Sequence, residues 1–329
     1  MDSALAQTQE RVRAALADQT PLRVRGGGTK DFHGARPLAG QLLDTRALTG
    51  IVAYEPSELV VTARAGTPLA ELEALLAAHG QCLPFEPPHY ASGATVGGMV
   101  AAGLSGPARA SVGAVRDYVL GVELINGRAE LLRFGGQVMK NVAGYDVSRL
   151  MAGSWGRLGV LTEVSLKVLP VAPAEATLRF ACTQAEALAR LNAWCGQPLP
   201  LNASCWVEEG GQGTLYLRLR GAQAAVQAAC RTLGGERLDG SGIETAAGEA
   251  AAADAAERED VGRPDLGAVQ AGDRGTHAGS QRGVMDDPGQ QAVRSRELVA
   301  AGNGQALFQI AGRKHRHHPV AARIEVTPD

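Results

Sequence analysis

The stretch GSWGRLGVLTE (residues 153–163) carries three glycines spaced three apart, directly before an apolar run. A dinucleotide-binding turn would read G-x-G-x-x-G, following a strand and opening a helix. Here the spacing is G-x-x-G-x-x-G and the order is reversed. VSRLMAG (147–153) before it reads as a helical turn. GVLTEVSLKVL (159–169) after it reads as a strand, with Val160, Thr162, Val164, Leu166 and Val168 on one face. Leu161, Glu163, Ser165 and Lys167 fall between them, on the other face. The Rossmann reading fails on context, and with it a nicotinamide-dependent dehydrogenase. Some other reason is needed for so free a backbone.

Composition narrows the search. With 329 residues the chain is long enough for two domains. Its net charge is −2 and aromatics make up only 4%, so nucleic acid is not an expected partner. No run of about 18 apolar residues suggests a spanning helix. The opening MDSALAQTQERVRAALADQT (1–20) reads as an amphipathic helix, because charges interrupt it throughout. A cytoplasmic protein is expected. Cys82, Cys182, Cys195, Cys205 and Cys230 are far apart and odd in number, which fits reduced thiols. Neither a metal nor an iron-sulfur site is expected from them.

Outward from residues 153–163, short strands and glycine turns fill residues 1–170. LRVR (22–25), QLLD (41–44), GIVAYE (50–55) and LVVTARAG (59–66) read as strands. TPLAELEALLAAHG (67–80) reads as a helix with Thr67 as N-cap, Pro68 at the first position and Gly80 at the exit. Residues 171–240 change character. ATLRFAC, a helix over TQAEALARLNAWCGQ capped by Thr183 with Glu186, the strands NASCWVE and TLYLRLR, and the helix AQAAVQAACRTLGG follow in order. This is β-α-β-β-α, most of a ferredoxin-like unit, with ERL (236–238) available as the last strand. Residues 241–329 show no strand pattern, and Phe308 is their only aromatic. Two readings stand for them: a disordered tail, or translation outside the native reading frame.

Three further glycine segments join the first. RGGGTK (25–30) follows a strand, and consecutive glycines can turn successive N–H groups into one concavity that holds phosphate oxygens. Arg25 and Lys30 could add charge there, and a plain loop is the alternative. PPHYASGATVGGMVAAGLSGP (87–107) lets the chain run close to an extended ligand, or else packs helices tightly. FGGQVMKNVAGYDVSRLMAG (134–153) places Asp146 to cap a helix, with Tyr145 read as a packing residue. Together they read as one large cofactor site built from distant loops.

These segments resemble the FAD-binding domain of the vanillyl-alcohol oxidase / p-cresol methylhydroxylase (PCMH-type) superfamily. RGGGTK is similar to its pyrophosphate loop, and KNVAGYDVSRLMAGSWGRLGVLTEVSLKVLP (140–170) to its flavin-side segment. More narrowly, YEPSELVVTARAGTPLAELEALLAAHGQCLPFEPPHY (54–90), ATVGGMVAAGLSGP (94–107), SVGAVRDYVLG (111–121) and LRFGGQVMKNVAGYD (132–146) resemble the E-subunit family of glycolate oxidases. The resemblance covers residues 10–240 and implies an α+β chain. Residues 1–170 would form a two-subdomain FAD-binding domain, 171–240 a partial ferredoxin-like substrate or cap domain, and 241–329 an irregular tail. It also implies non-covalent FAD and oxidation of a 2-hydroxy acid such as glycolate. The implied partners are a related flavoprotein subunit, D, and an iron-sulfur subunit, F, through which the chain could sit peripherally at the inner membrane.

Carried over residue by residue, the resemblance implies that Gly26, Gly27, Gly28 and Thr29 bind the pyrophosphate. Thr95, Val96, Gly97, Gly98, Gly103 and Ser105 would line the cofactor, and Gly153, Ser154, Gly159 and Val160 would close over it. No catalytic base is nominated. Arg116, Arg133 and Arg149 read as readily as surface ion-pair residues as partners for a substrate carboxylate, and His33 and His89 as exposed loop histidines. HRHH (315–318) reads as incidental. The family's C-terminal N-P-G-R-like segment is not found after Gly240, so part of the cap and one flavin wall are expected to be missing.

Overall fold

The computed structural model describes residues 3–33, 40–136, 145–209 and 211–238. The expectations for 137–144 and for the tail, including its HRHH run, lie outside them. In chain order the elements begin α1 (Ser3–Ala17), β1 (Leu22–Arg25), β2 (Gln41–Asp44), β3 (Ile51–Glu55), β4 (Val60–Arg64), α2 (Leu69–Ala78) and β5 (Gln81–Cys82). Next come α3 (Val96–Ala102), α4 (Arg109–Val112), α5 (Val115–Tyr118), β6 (Val119–Ile125), β7 (Leu131–Gly135), α6 (Val147–Leu150), β8 (Val160–Lys167) and β9 (Leu169–Pro170). The last are β10 (Ala174–Ala181), α7 (Gln184–Cys195), β11 (Leu201–Glu209), β12 (Gln212–Gly221), α8 (Gln223–Leu233) and β13 (Glu236–Leu238).

The principal sheet has the order β3-β4-β8-β6-β7, antiparallel throughout. Leu69, Leu72 and Leu76 of α2 and Val96, Met99 and Val100 of α3 pack on it, against Val61, Val122, Leu161, Val164 and Leu166. The simple alternation expected for residues 160–168 does not hold. The register slips between Glu123 and Leu124, so Leu124 faces Leu161 while Glu123 faces Glu163. Leu161 therefore shares the apolar core with Val164 and Leu166. Thr162 turns to the other side and donates to the Glu123 carboxylate (3.0 Å). A bulge of this kind shifts the face of each residue beyond it.

β1 and β2 form a separate parallel pair. Val12 of α1, Leu43, Ile125 and Val160 bury each other beneath it, which ties β1 to the leading end of β8. The loop leaving β1 is thereby held beside the loop entering β8.

The third sheet has the order β11-β12-β10-β13, again antiparallel. β13, the ERL segment, pairs with β10 through Thr177↔Leu238 and completes a βαββαβ order. Leu178, Phe180, Trp206, Leu215 and Leu217 meet Ala187 and Leu191 of α7 and Val226 and Ala229 of α8. The capping box is in place. Thr183 Oγ1 accepts from the Glu186 N–H (3.3 Å), and the Thr183 N–H donates to the Glu186 carboxylate (2.9 Å). Asp146 accepts from the Arg149 N–H (3.1 Å) and caps α6 as expected.

Thr67 is not the cap of α2. Pro68 holds that position, and no side chain caps the helix. Buried Thr67 instead accepts from the Gly50 N–H (3.0 Å) and donates to the Gly50 carbonyl (3.1 Å). Tyr145 does not pack either, since it is 96% exposed.

Candidate cofactor site

Three loops converge on one cleft: the β1 exit, the approach to α3 and the turn before β8. The cleft holds a cavity of about 160 Å³ and opens to solvent at its mouth. The approach of the first two loops demands glycine. A Cβ on Gly27 would lie 1.7 Å from the Gly93 carbonyl oxygen. Gly28 has φ +71°, a left-handed conformation that glycine adopts without steric cost. Thr95 caps α3 by accepting from the Gly98 N–H (3.2 Å), which fixes the second loop.

Gly26, Gly27, Gly28, Thr29, Thr95, Gly97, Gly98, Ser154 and Gly159 line this cleft, so residues up to 133 positions apart meet on one wall. The other expected residues lie off it. Val96 is buried in the core under α3, and Val160 in the cluster with Val12 and Leu43. Gly103 ends α3 and abuts Gly153, whose nitrogen a Cβ on Gly103 would meet at 2.8 Å. Ser105 accepts from the Val115 N–H (3.2 Å), at the start of α5.

Charge on the wall is mainly positive. Arg23, Arg25 and Lys30 line the cleft with Asp31, which accepts from Arg25 Nε at 2.7 Å. Burial pushes the Lys30 ammonium below its ordinary pKa, and its Nζ lies 5.7 Å from the Tyr90 ring centroid. Among the described residues, Arg23 Nε and Ser154 Oγ are buried without a hydrogen-bond partner, and both belong to this wall. Buried polar atoms are nearly always satisfied. A donor on a cationic side chain and a hydroxyl left open in one glycine-walled cleft fit an elongated ligand with anionic oxygens.

Several wall residues were not singled out one by one. Thr45 and Ala65 follow strand ends, and Ala101 and Ala102 look like ordinary helix residues. Trp155 is different: one bulky ring in a glycine turn was a visible signal. His33 is exposed, as expected, yet it also lines the cleft and stacks on Trp155 (centroids 4.5 Å apart). His89 is exposed and bonded to Glu73 (3.1 Å). Arg116, Arg133 and Arg149 pair with Asp117, Glu123 and Asp146 respectively.

Residues 4–135 match the FAD binding domain family. FAD is the cofactor of that domain. The chain is 52% identical to glycolate oxidase subunit GlcE of Escherichia coli over 231 residues, 70% of this chain and 65% of that one. It is 34% identical to a D-lactate dehydrogenase of Archaeoglobus fulgidus over 151 residues, 46% of this chain and 33% of that one. The matched region thus spans less than two thirds of either relative. Among solved structures, alkyldihydroxyacetonephosphate synthase superposes with a TM-score of 0.57 at 17% identity, over 69% of this chain and 47% of that one. The grass pollen allergen Phl p 4, with glucose dehydrogenase activity, gives 0.53 at 20% identity, over 70% of this chain and 46% of that one. These two share the fold. No helix among the described residues is long and apolar enough to cross a membrane.

Proposed function

We propose that this chain is the FAD-binding subunit of a glycolate oxidase, oxidising glycolate to glyoxylate. The observation that carries the reading is the glycine-walled cationic cleft, whose first two loops lie within the match to the FAD binding domain family, in a chain 52% identical to the GlcE subunit over 70% of its length. Gly26–Gly28 would hold the pyrophosphate, with Arg23, Lys30 and Ser154 supplying side-chain donors. Bound FAD supplies the two-electron acceptor for the hydrogen on the α-carbon. The protein's part is to position substrate and exclude water. Electrons would leave through an iron-sulfur partner subunit, beside a second flavoprotein subunit of the D type, and the complex would work in the cytoplasm or against the inner membrane. In this reading residues 1–170 bind FAD and 171–240 form the cap.

A second reading also has support. Arg116, Arg133 and Arg149 each have a carboxylate partner within the chain, so none of them stands ready for a substrate carboxylate. The chain would then be an accessory flavin-binding subunit, or would serve another 2-hydroxy acid. The test is a visible spectrum of the desalted full chain, followed by anaerobic glycolate. Flavin bands that bleach support catalysis by this chain. Bands that persist support the accessory role, and a folded chain that stays colourless when FAD is added overturns both.

A further inference from the structure

Trp155 holds a conformation that its side chain opposes. Its φ is +54°, in the left-handed region that bulky residues rarely occupy. Strain of this kind persists where the surroundings impose it, often at ligand clamps. Here the Trp155 N–H donates to the Ala101 carbonyl (2.9 Å), and the indole lies flat on the His33 imidazole, 1° from parallel. Both rings line the cofactor cleft, yet the indole remains 38% exposed. A large flat ring is thus held at the cleft wall beside Arg25 and Lys30, with another flat heterocycle resting on it.

Its place along the cleft follows from the topology. The Trp155 turn enters β8 at Val160, which pairs with Ile125. α4 contacts the third sheet, since Ser111 Oγ donates to the Asn202 carbonyl of β11 (2.6 Å). α4 leads, through α5, to the opposite end of β6, where Val119 pairs with Leu166. At about 3.3 Å per residue, those two ends lie roughly 20 Å apart. In the functional reading above, where residues 171–240 cap the reactive ring, the Trp155 end is left for the other end of the dinucleotide.

We propose that Trp155 is the platform on which the adenine ring of FAD stacks, and that the His33 imidazole marks the place the base takes. The inference rests on the FAD reading of the cleft. It assigns part of the preference for FAD over FMN, which lacks the adenylate half, to the one bulky ring of the glycine turn before β8.

The test is calorimetric titration of the flavin-free full chain with FAD, FMN and ADP. Trp155→Ala should bind FAD and ADP about tenfold more weakly, as loss of a base–aromatic stack does, with FMN affinity unchanged. Trp155→Phe should stay within about threefold. Trp155→Gly removes the backbone strain together with the ring, and its melting temperature without ligand separates folding from binding. Unchanged FAD and ADP affinity in a folded Trp155→Ala overturns the assignment, as does an equal loss for FAD and FMN. A wild-type chain that binds no FAD overturns the functional reading and this inference with it.

Discussion

Glu86 and Arg218 join the principal sheet's loops to the third sheet through one buried charge pair. Glu86 Oε1 accepts from Arg218 Nη2 and from Arg220 Nη1 (3.2 Å), while Oε2 accepts from the Ala108 N–H (3.0 Å). Arg218 is 1% exposed, and its Nε donates to Asn202 Oδ1 (2.7 Å). Arg220 also pairs with Glu175 (3.3 Å), so two arginines meet two carboxylates. Breaking such a pair from one side costs about 3–5 kcal/mol. Glu86→Ala should therefore lower the unfolding free energy by about 3 kcal/mol in urea titration. Glu86→Gln keeps an acceptor and should lower it less.

A second expectation concerns the cleft wall. Gly27→Ala places a methyl carbon 1.7 Å from the Gly93 carbonyl, a contact that only backbone movement can relieve. The loop after β1 must then separate from the loop before α3, which takes the wall apart. FAD retention through desalting should fall at least tenfold, about 1.4 kcal/mol or more of binding free energy. Gly127→Ala is the control, because its Cβ meets nothing within 4 Å. That variant should keep its flavin.

Much of this was legible in the sequence, and the misses have physical causes. Glycines in RGGGTK and ATVGG mark backbone approach, and residues of both segments reach the wall because a Cβ would not fit. Capping residues such as Thr183 and Asp146 read correctly, because their partners lie three residues away. Thr67 misled because its partner, Gly50, lies 17 residues back. The faces of β8 were misassigned because the slip between Glu123 and Leu124 is a property of pairing with β6. Ala65 and Thr45 carry no local signal, since only the tertiary fold brings them to the cleft.

Cys205 predicts an alkaline weakness. It is fully buried, and burial pushes its thiol from the ordinary 9.0 up to about 11. The folded state then holds the proton more tightly than the unfolded state. Its contribution is complete below pH 9 and is lost as pH rises towards 11, by up to about 2–3 kcal/mol. Other groups titrate in the same window, so the useful measurement is a difference. The unfolding free energy of the wild type minus that of Cys205→Ala should be flat below pH 9 and fall by that amount by pH 11. A difference independent of pH across the window would contradict the assignment.

Thr67 separates two accounts of the same residue. As a helix cap, its loss would fray the first turn of α2. In the structure its hydroxyl instead serves both polar groups of Gly50, whose carbonyl also accepts from the Arg64 N–H (2.9 Å). Thr67→Val keeps the shape and strands the Gly50 N–H in a part-buried site, at about 1–3 kcal/mol or less. Thr67→Ser should recover most of that loss. Hydrogen exchange locates the damage. Faster exchange at Gly50 and Arg64, with Glu71 and Leu72 of α2 unchanged, is the expected pattern. Faster exchange confined to Glu71 and Leu72 would return Thr67 to the role of a cap.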